Sequence, residues 1–254
     1  MNKFITIIAS LLIAFTFTKT VLADGHQVYG PYPITLKGYD GDATNSVKYT
    51  GQMARHALHD SLKALVKSGD VAKMMAYYNG EDGLEIIAPA SKGDFVIKQT
   101  MISEIGSGNL SGKMYKGAVP GWGNLTGPEV IEHMMTKAGE VEGGFDPNTG
   151  MDYTQLISKF AMGAVFYNQA VNSYLGSKME VGQKPNNKPY KDGAYYTGKE
   201  HSWDEAFGYW GSAAHALTLS AEQNYNVAKK KDMASADFNG DGVVDVYSEY
   251  TYAH

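Results

Sequence analysis

Residues 237–249 read DFNGDGVVDVYSE. Asp237, Asn239 and Asp241 put oxygen side chains on alternate positions. Gly242 follows, Val243 offers its backbone carbonyl, and Asp245 comes two residues later. A loop that wraps a hard cation such as calcium needs oxygens closing on one point and a glycine where the backbone turns sharply. The order matches the first nine positions of a helix–loop–helix calcium loop. The match then shifts. Ser248 stands where the closing acid belongs, and Glu249 comes one residue later. Only YTYAH follows, too little for an exit helix. A calcium sensor needs two helices that swing apart. The expectation here is a structural calcium pin with ligands Asp237, Asn239, Asp241, Val243, Asp245 and Glu249, the last reaching back by a different turn.

A second cluster lies in HSWDEAFGYWG. On a helix running from His201 to Leu217, Trp203, Phe207, Trp210, Ala214 and Leu217 form one stripe, expected to face the core. His201, Glu205, Gly208, Ser212 and His215 form a neighbouring polar stripe with Asp204 at its edge. His201 and Glu205 stand one turn apart, so their heads can meet each other or one ion. Imidazole with carboxylates suits zinc or iron. The plainer alternative is that acids in a first turn only cap the helix. Gly208 leaves room for a ligand or a second helix. Arg55, His56 and His59 lie along an earlier helix and supply partners. Arg55 is the one arginine beside 21 lysines, and its planar fork can hold a carboxylate in two bonds. The expected second site is therefore His201, Asp204, Glu205, Arg55 and His59, for a small ligand or a second metal ion (iron or zinc).

These residues must be positioned by helices. GQMARHALHDSLKALVKSG repeats Leu58, Leu62 and Leu65 at helical spacing and ends at Ser68-Gly69. DVAKMMAYYNG starts on Asp70 as a cap and stops at Gly80. A short helix is expected near 92–104. GPEVIEHMMTKAGE carries Pro128 in its first turn. FDPNTGMDY, with Asp146, Asn148 and Asp152, reads as a turn and a helix cap. The span 152–176 is the longest helical pattern, with Ile157, Phe160, Ala164, Tyr167, Val171 and Leu175 down one side. It is expected to be central and buried. A loop at 181–200, the 201–217 helix and AEQNYNVAKKKD complete the pattern. The fold class is all-α: an irregular bundle of five to six helices with long Gly-rich loops and a C-terminal calcium-type loop.

Composition narrows the function. The 254-residue chain has no Cys, which excludes thiolate metal sites and cysteine nucleophiles. Its net charge is −5, so nucleic acid is an unsuitable partner. Residues 1–23 hold Lys3, an apolar run from Phe4 to Phe17 and Val21-Leu22-Ala23, the pattern of a cleavable export signal cut after Ala23. The expected mature chain, 24–254, is one helical domain, periplasmic or secreted, with no membrane span. Losing two lysines with the signal leaves 20 basic against 27 acidic residues, −7. The motifs G-x-S-x-G and H-E-x-x-H are missing.

YTGQMARHALHDSLKALVK, KFAMGAVFYNQAVNSYL, HSWDEAFGYWG and DFNGDGVVDVYSEY occur in that order. Together they resemble an uncharacterised family of exported bacterial proteins, a domain of unknown function, over roughly 45–252. The resemblance implies that the Ser248-Glu249 ending is normal for the loop. More distantly, the chain is similar to imelysin-like helical envelope proteins linked to iron uptake, which carry a His and a Glu one helical turn apart. The matching positions are His201 with Asp204 or Glu205. The functional expectation is an exported calcium-binding protein that binds a metal or small ligand. The alternatives are a metal-dependent envelope hydrolase with Glu205 as general base, and a non-catalytic structural or partner-binding protein.

Overall fold

The computed structural model describes residues 28–87 and 95–252. The export signal and its cut after Ala23 lie outside them, as does the start of the helix expected near 92–104. Eight α-helices are present among the described residues: α1 (Thr50–Leu65), α2 (Val71–Asn79), α3 (Ile102–Ile105), α4 (Gly127–Gly139), α5 (Tyr153–Ala161), α6 (Gly198–Trp210), α7 (Ala221–Ala228) and α8 (Met233–Ala236). The strands β1 (Phe145–Asp146) and β2 (Met151–Asp152) form a two-stranded antiparallel hairpin. The fold is all-α and irregular, with loops carrying much of the length between helices. No helix among the described residues is long and apolar enough to cross a membrane.

Local signals act where the residue types place them. Asp70 accepts the Lys73 N–H at 2.9 Å to start α2, and Gly80 ends it in the left-handed conformation. Pro128 sits in the first turn of α4. Asp146 accepts the Asn148 N–H in the hairpin turn, and Asp152 caps α5 through the Gln155 N–H. FDPNTGMDY is thus a turn and a cap.

The central helix is α1, where the sequence pattern pointed to 152–176. Ten of its 16 residues are buried, polar Gln52, His56, His59 and Ser61 among them. It packs against α2, α3, α5 and α6. The 152–176 stretch begins as α5 and continues from Met162 to Tyr174 as a π-helix. The Leu175 N–H reaches back five residues to the Ala170 carbonyl at 2.9 Å. Wider winding changes which residues share a face. Ile157, Ala161, Val165 and Tyr174 are buried, while Tyr167, Val171 and Leu175 stand in water. The stripe expected at helical spacing is therefore split between core and solvent.

The expected 201–217 helix also differs. It starts earlier, at a capping box in which the Glu200 N–H donates to Thr197 Oγ1 and the Thr197 N–H donates to Glu200 Oε2. It stops at Gly211, which is left-handed with φ 72° and bonds back to the Phe207 carbonyl. Ser212, Ala214, His215 and Leu217 lie beyond it, so neither predicted stripe continues past Trp210. Apart from Tyr209, the buried residues of the helix are small or short: Gly198, Ser202, Asp204, Ala206 and Gly208. Trp203, Trp210 and Leu217 are 53, 66 and 77 % exposed, while Phe207 of the same expected stripe packs against the core. Gly208 is the reason. A Cβ there would stand 2.7 Å from Gln52 Cβ and 2.8 Å from Tyr49 Cβ. Close approach of α1 selects small residues on that face and turns the tryptophans outward.

Candidate functional site

Because Thr197 and Glu200 cap α6, the acids of its next turn are released from that duty. Glu205 points between α1 and the π-helix. Its Oε1 accepts from Gln52 Nε2 at 2.8 Å and from the Tyr174 hydroxyl at 3.0 Å. Its Oε2 stands 3.4 Å from His201 Nε2. His201 is held between the rings of Tyr190 and Tyr196, each 4.7 Å away between centroids. Burial pushes its pKa down, Glu205 pulls it up, and Lys178 pushes it down again. Its Nδ1 is buried and makes no hydrogen bond.

Cations gather around this carboxylate. Lys178 Nζ lies 3.3 Å above the Tyr174 ring. Burial lowers the Lys178 pKa to about 8, against the pull of Glu205. Burial also lowers Lys113, and neighbouring Arg55 lowers it further. Arg55 stands 5.8 Å from the centre of the Tyr209 ring. The Tyr209 hydroxyl is buried, makes no hydrogen bond, and feels both Arg55 and Glu205. In a chain of net charge −5, Lys113 and Lys178 both feel this carboxylate, and Arg55 lies close enough to act on Lys113.

Not every residue expected at this site belongs to it. Asp204 turns the other way, accepting from the Tyr29 hydroxyl at 2.5 Å and the Lys48 N–H at 3.0 Å. Arg55 pairs with neither acid. It donates to the Asn109 and Gly51 carbonyls, each at 2.9 Å, two bonds from one planar fork that a lysine cannot form. His59 lies elsewhere, with Nε2 3.1 Å from the Ser158 carbonyl. Of the five residues expected at the ligand or second-metal site, only His201 and Glu205 meet. Gln52, Lys113, Tyr174, Lys178 and Tyr209 join them instead. In the sequence Gln52, Tyr174 and Tyr209 fall within helical patterns, and nothing marks Lys113 or Lys178.

Asp204 carries a pH dependence. Burial raises its pKa from 3.8 to about 6, against the hydrogen bonds from Tyr29 and Lys48. Between about pH 4 and 6 the folded chain then holds a proton that the unfolded chain has released. The stability linked to this group is full below about pH 4 and is lost as pH rises to 6. The rise from 3.8 to about 6 corresponds to on the order of 3 kcal/mol. Urea unfolding from pH 4 to 7 is expected to show the wild type losing stability relative to Asp204→Asn over this window. A difference that stays constant with pH would exclude the effect.

The C-terminal loop is ordered by its own acids. Asp237 Oδ1 accepts the Gly240 and Asp241 N–H groups at 2.8 and 3.1 Å, and Oδ2 accepts that of Gly242 at 2.9 Å. Asn239 Oδ1 accepts from Asp241, and Asp241 Oδ1 from Val243. Gly242 has φ 86°, the backbone turn this position requires. Glu249 is 5 % exposed. One helical turn past Asp245, its N–H donates to the Asp245 carbonyl at 2.8 Å. Its Oε1 and Oε2 accept the Asn239 and Asp245 N–H groups. Asp245 is drawn outward to Gln99 Nε2 at 2.9 Å and Lys98 Nζ at 3.3 Å. Among the described residues, no three His, Asp or Glu side chains are grouped to hold a metal ion.

The loop leads into a clamped chain end. Val244 exchanges backbone bonds with Val96 and Lys98, and Tyr252 donates to the Gly211 carbonyl at 2.7 Å. Val244, Val246, Tyr250 and Tyr252 are buried in the core.

No curated protein and no solved structure matches the chain. Residues 130–248 match a family model described as a domain of unknown function (DUF4856), a stretch that runs from within α4 through His201 and Glu205 to one residue short of Glu249.

Proposed function

We propose that the chain is an exported calcium-binding protein whose helical body holds a small anionic ligand beside Glu205. The calcium assignment is carried by Glu249. It is a buried acid with both oxygens turned into the loop, where a bidentate ligand belongs. The backbone N–H groups that orient Asp237, Asn239 and Asp241 would preorganise the remaining oxygens. Asp245, held by Lys98 and Gln99, suits the position that often binds through water. Calcium would supply positive charge that lets these acids crowd together. Calorimetric titration of chelator-stripped protein is expected to give one calcium site per chain, and absence of saturable heat would sink the assignment. Export rests on the apolar leader before Ala23.

The ligand reading rests on the charges around Glu205. The likeness to imelysin-like iron-uptake proteins would put a metal between His201 and Glu205. Arg55, Lys113 and Lys178 oppose a dication there and favour an anion. A hydrolytic role for Glu205 finds less support, because Oε1 already accepts two hydrogen bonds. Sulfate keeps its charge between pH 7 and 9 and serves as the probe. Lys178, with its pKa near 8, is charged below that value and neutral above it. Sulfate affinity is expected to fall about tenfold from pH 7 to 9, and the fall should shrink in Lys178→Arg. Affinity independent of pH in both proteins would remove Lys178 from the site.

A further inference from the structure

A groove of about 640 Å³ opens on the far side of Tyr209, between the π-helix and the 210–217 segment. We infer that it binds an uncharged, ring-bearing apolar molecule. Its volume falls in the range of small-ligand sites, about 300–1,000 Å³. Its outer walls are Tyr167, Val171, Trp210 and Leu217, which are 62, 40, 66 and 77 % exposed. Large apolar side chains grouped in water mark a binding surface more often than chance exposure does. The floor is aromatic: the His56 ring is stacked on Phe166 at 4.1 Å and on Tyr252 at 5.1 Å.

Three observations define the occupant. No Lys, Arg, Asp or Glu is among the residues lining the groove, and the His56 and His59 rings are engaged with the Gly208 and Ser158 carbonyls, so no fixed charge there balances a charged ligand. Rings dominate both floor and walls, which favours flat partners that stack. Tyr252 lines the groove, is 5 % exposed, and has a hydroxyl without a hydrogen bond. A buried hydroxyl left unpaired costs free energy that a ligand with one polar atom can recover. The π-winding fits this reading. It turns Tyr167 and Val171 outward while Phe166 stays in the floor, and π-helical turns frequently occur at functional sites.

The probe is N-phenyl-1-naphthylamine, uncharged and fluorescent in apolar surroundings, titrated into the full mature chain. One saturable site per chain is expected. Tyr167→Ser and Trp210→Ser, both at exposed positions that leave the core intact, should each weaken it tenfold or more. Trp203→Ser, equally exposed but outside the groove, should leave affinity unchanged. Absence of saturable binding, or equal weakening by Trp203→Ser, would overturn the inference. So would a concentration-dependent dimer, seen by sedimentation and abolished by Leu217→Ser, because the groove would then belong to a second copy.

Discussion

Stripping calcium from the protein is expected to lower its melting temperature by about 5–11 °C. An ion bound only by the folded chain adds about 2.7 kcal/mol when present at a hundred times its dissociation constant. Each kcal/mol shifts the melting temperature of a protein this size by about 2–4 °C. The physical origin lies in the crowding of Asp237, Asp241 and Glu249, whose carboxylates share one short loop. Without a cation their repulsion is offset only by backbone N–H groups. The loop is tied to Val96 and Lys98 on one side, and the chain after it to Gly211 on the other. Loosening it therefore loosens the buried end, Tyr250 and Tyr252 included. Thermal unfolding with calcium and with excess chelator measures the effect. Identical curves would show that the loop needs no ion.

Replacing Glu205 with Gln is expected to move stability and ligand affinity in opposite directions. Gln keeps an oxygen for Gln52 and Tyr174 but removes the one negative charge facing Arg55, Lys113 and Lys178. Taking one partner from a fully buried charge group costs about 3–5 kcal/mol. Glu205 keeps some access to water, 16 % of its side chain, so about 2–3 kcal/mol is expected. The uncompensated cations then attract an anion more strongly, and sulfate affinity should rise about tenfold. Urea unfolding and calorimetry read the two quantities separately. A metal site would behave differently, since loss of the carboxylate would abolish binding. Unchanged sulfate affinity in a destabilised variant would leave Glu205 a purely structural acid.

The parts of this picture readable in advance were those set by neighbours in the chain. Asp70, Gly80, Pro128 and Asp152 act within a few residues, and their effects followed from residue type. The turn at Gly242 and the return of Glu249 into the 237–249 loop were legible for the same reason. The end of α6 was misplaced because a glycine inside an apolar pattern can be tolerated or can stop a helix. The left-handed turn at Gly211 depends on the incoming chain end, through Tyr252. Spacing could not show that Trp203 and Trp210 face outward. Their helix approaches α1 on Gly208, and the distance between two helices is not written in either one. The π-winding hid the exposure of Tyr167 and Val171 likewise. Lys113 and Lys178 reach Glu205 from segments far apart in the chain, so the sign of the site's charge emerged only in three dimensions.

Native mass spectrometry of the mature chain, purified without chelator from calcium-containing medium, decides whether the 237–249 loop holds an ion. One calcium ion is expected on the wild type, none on Asp237→Ala, and one on Glu205→Gln. A metal-free wild type, or an ion retained by Asp237→Ala and lost from Glu205→Gln, would contradict the calcium assignment.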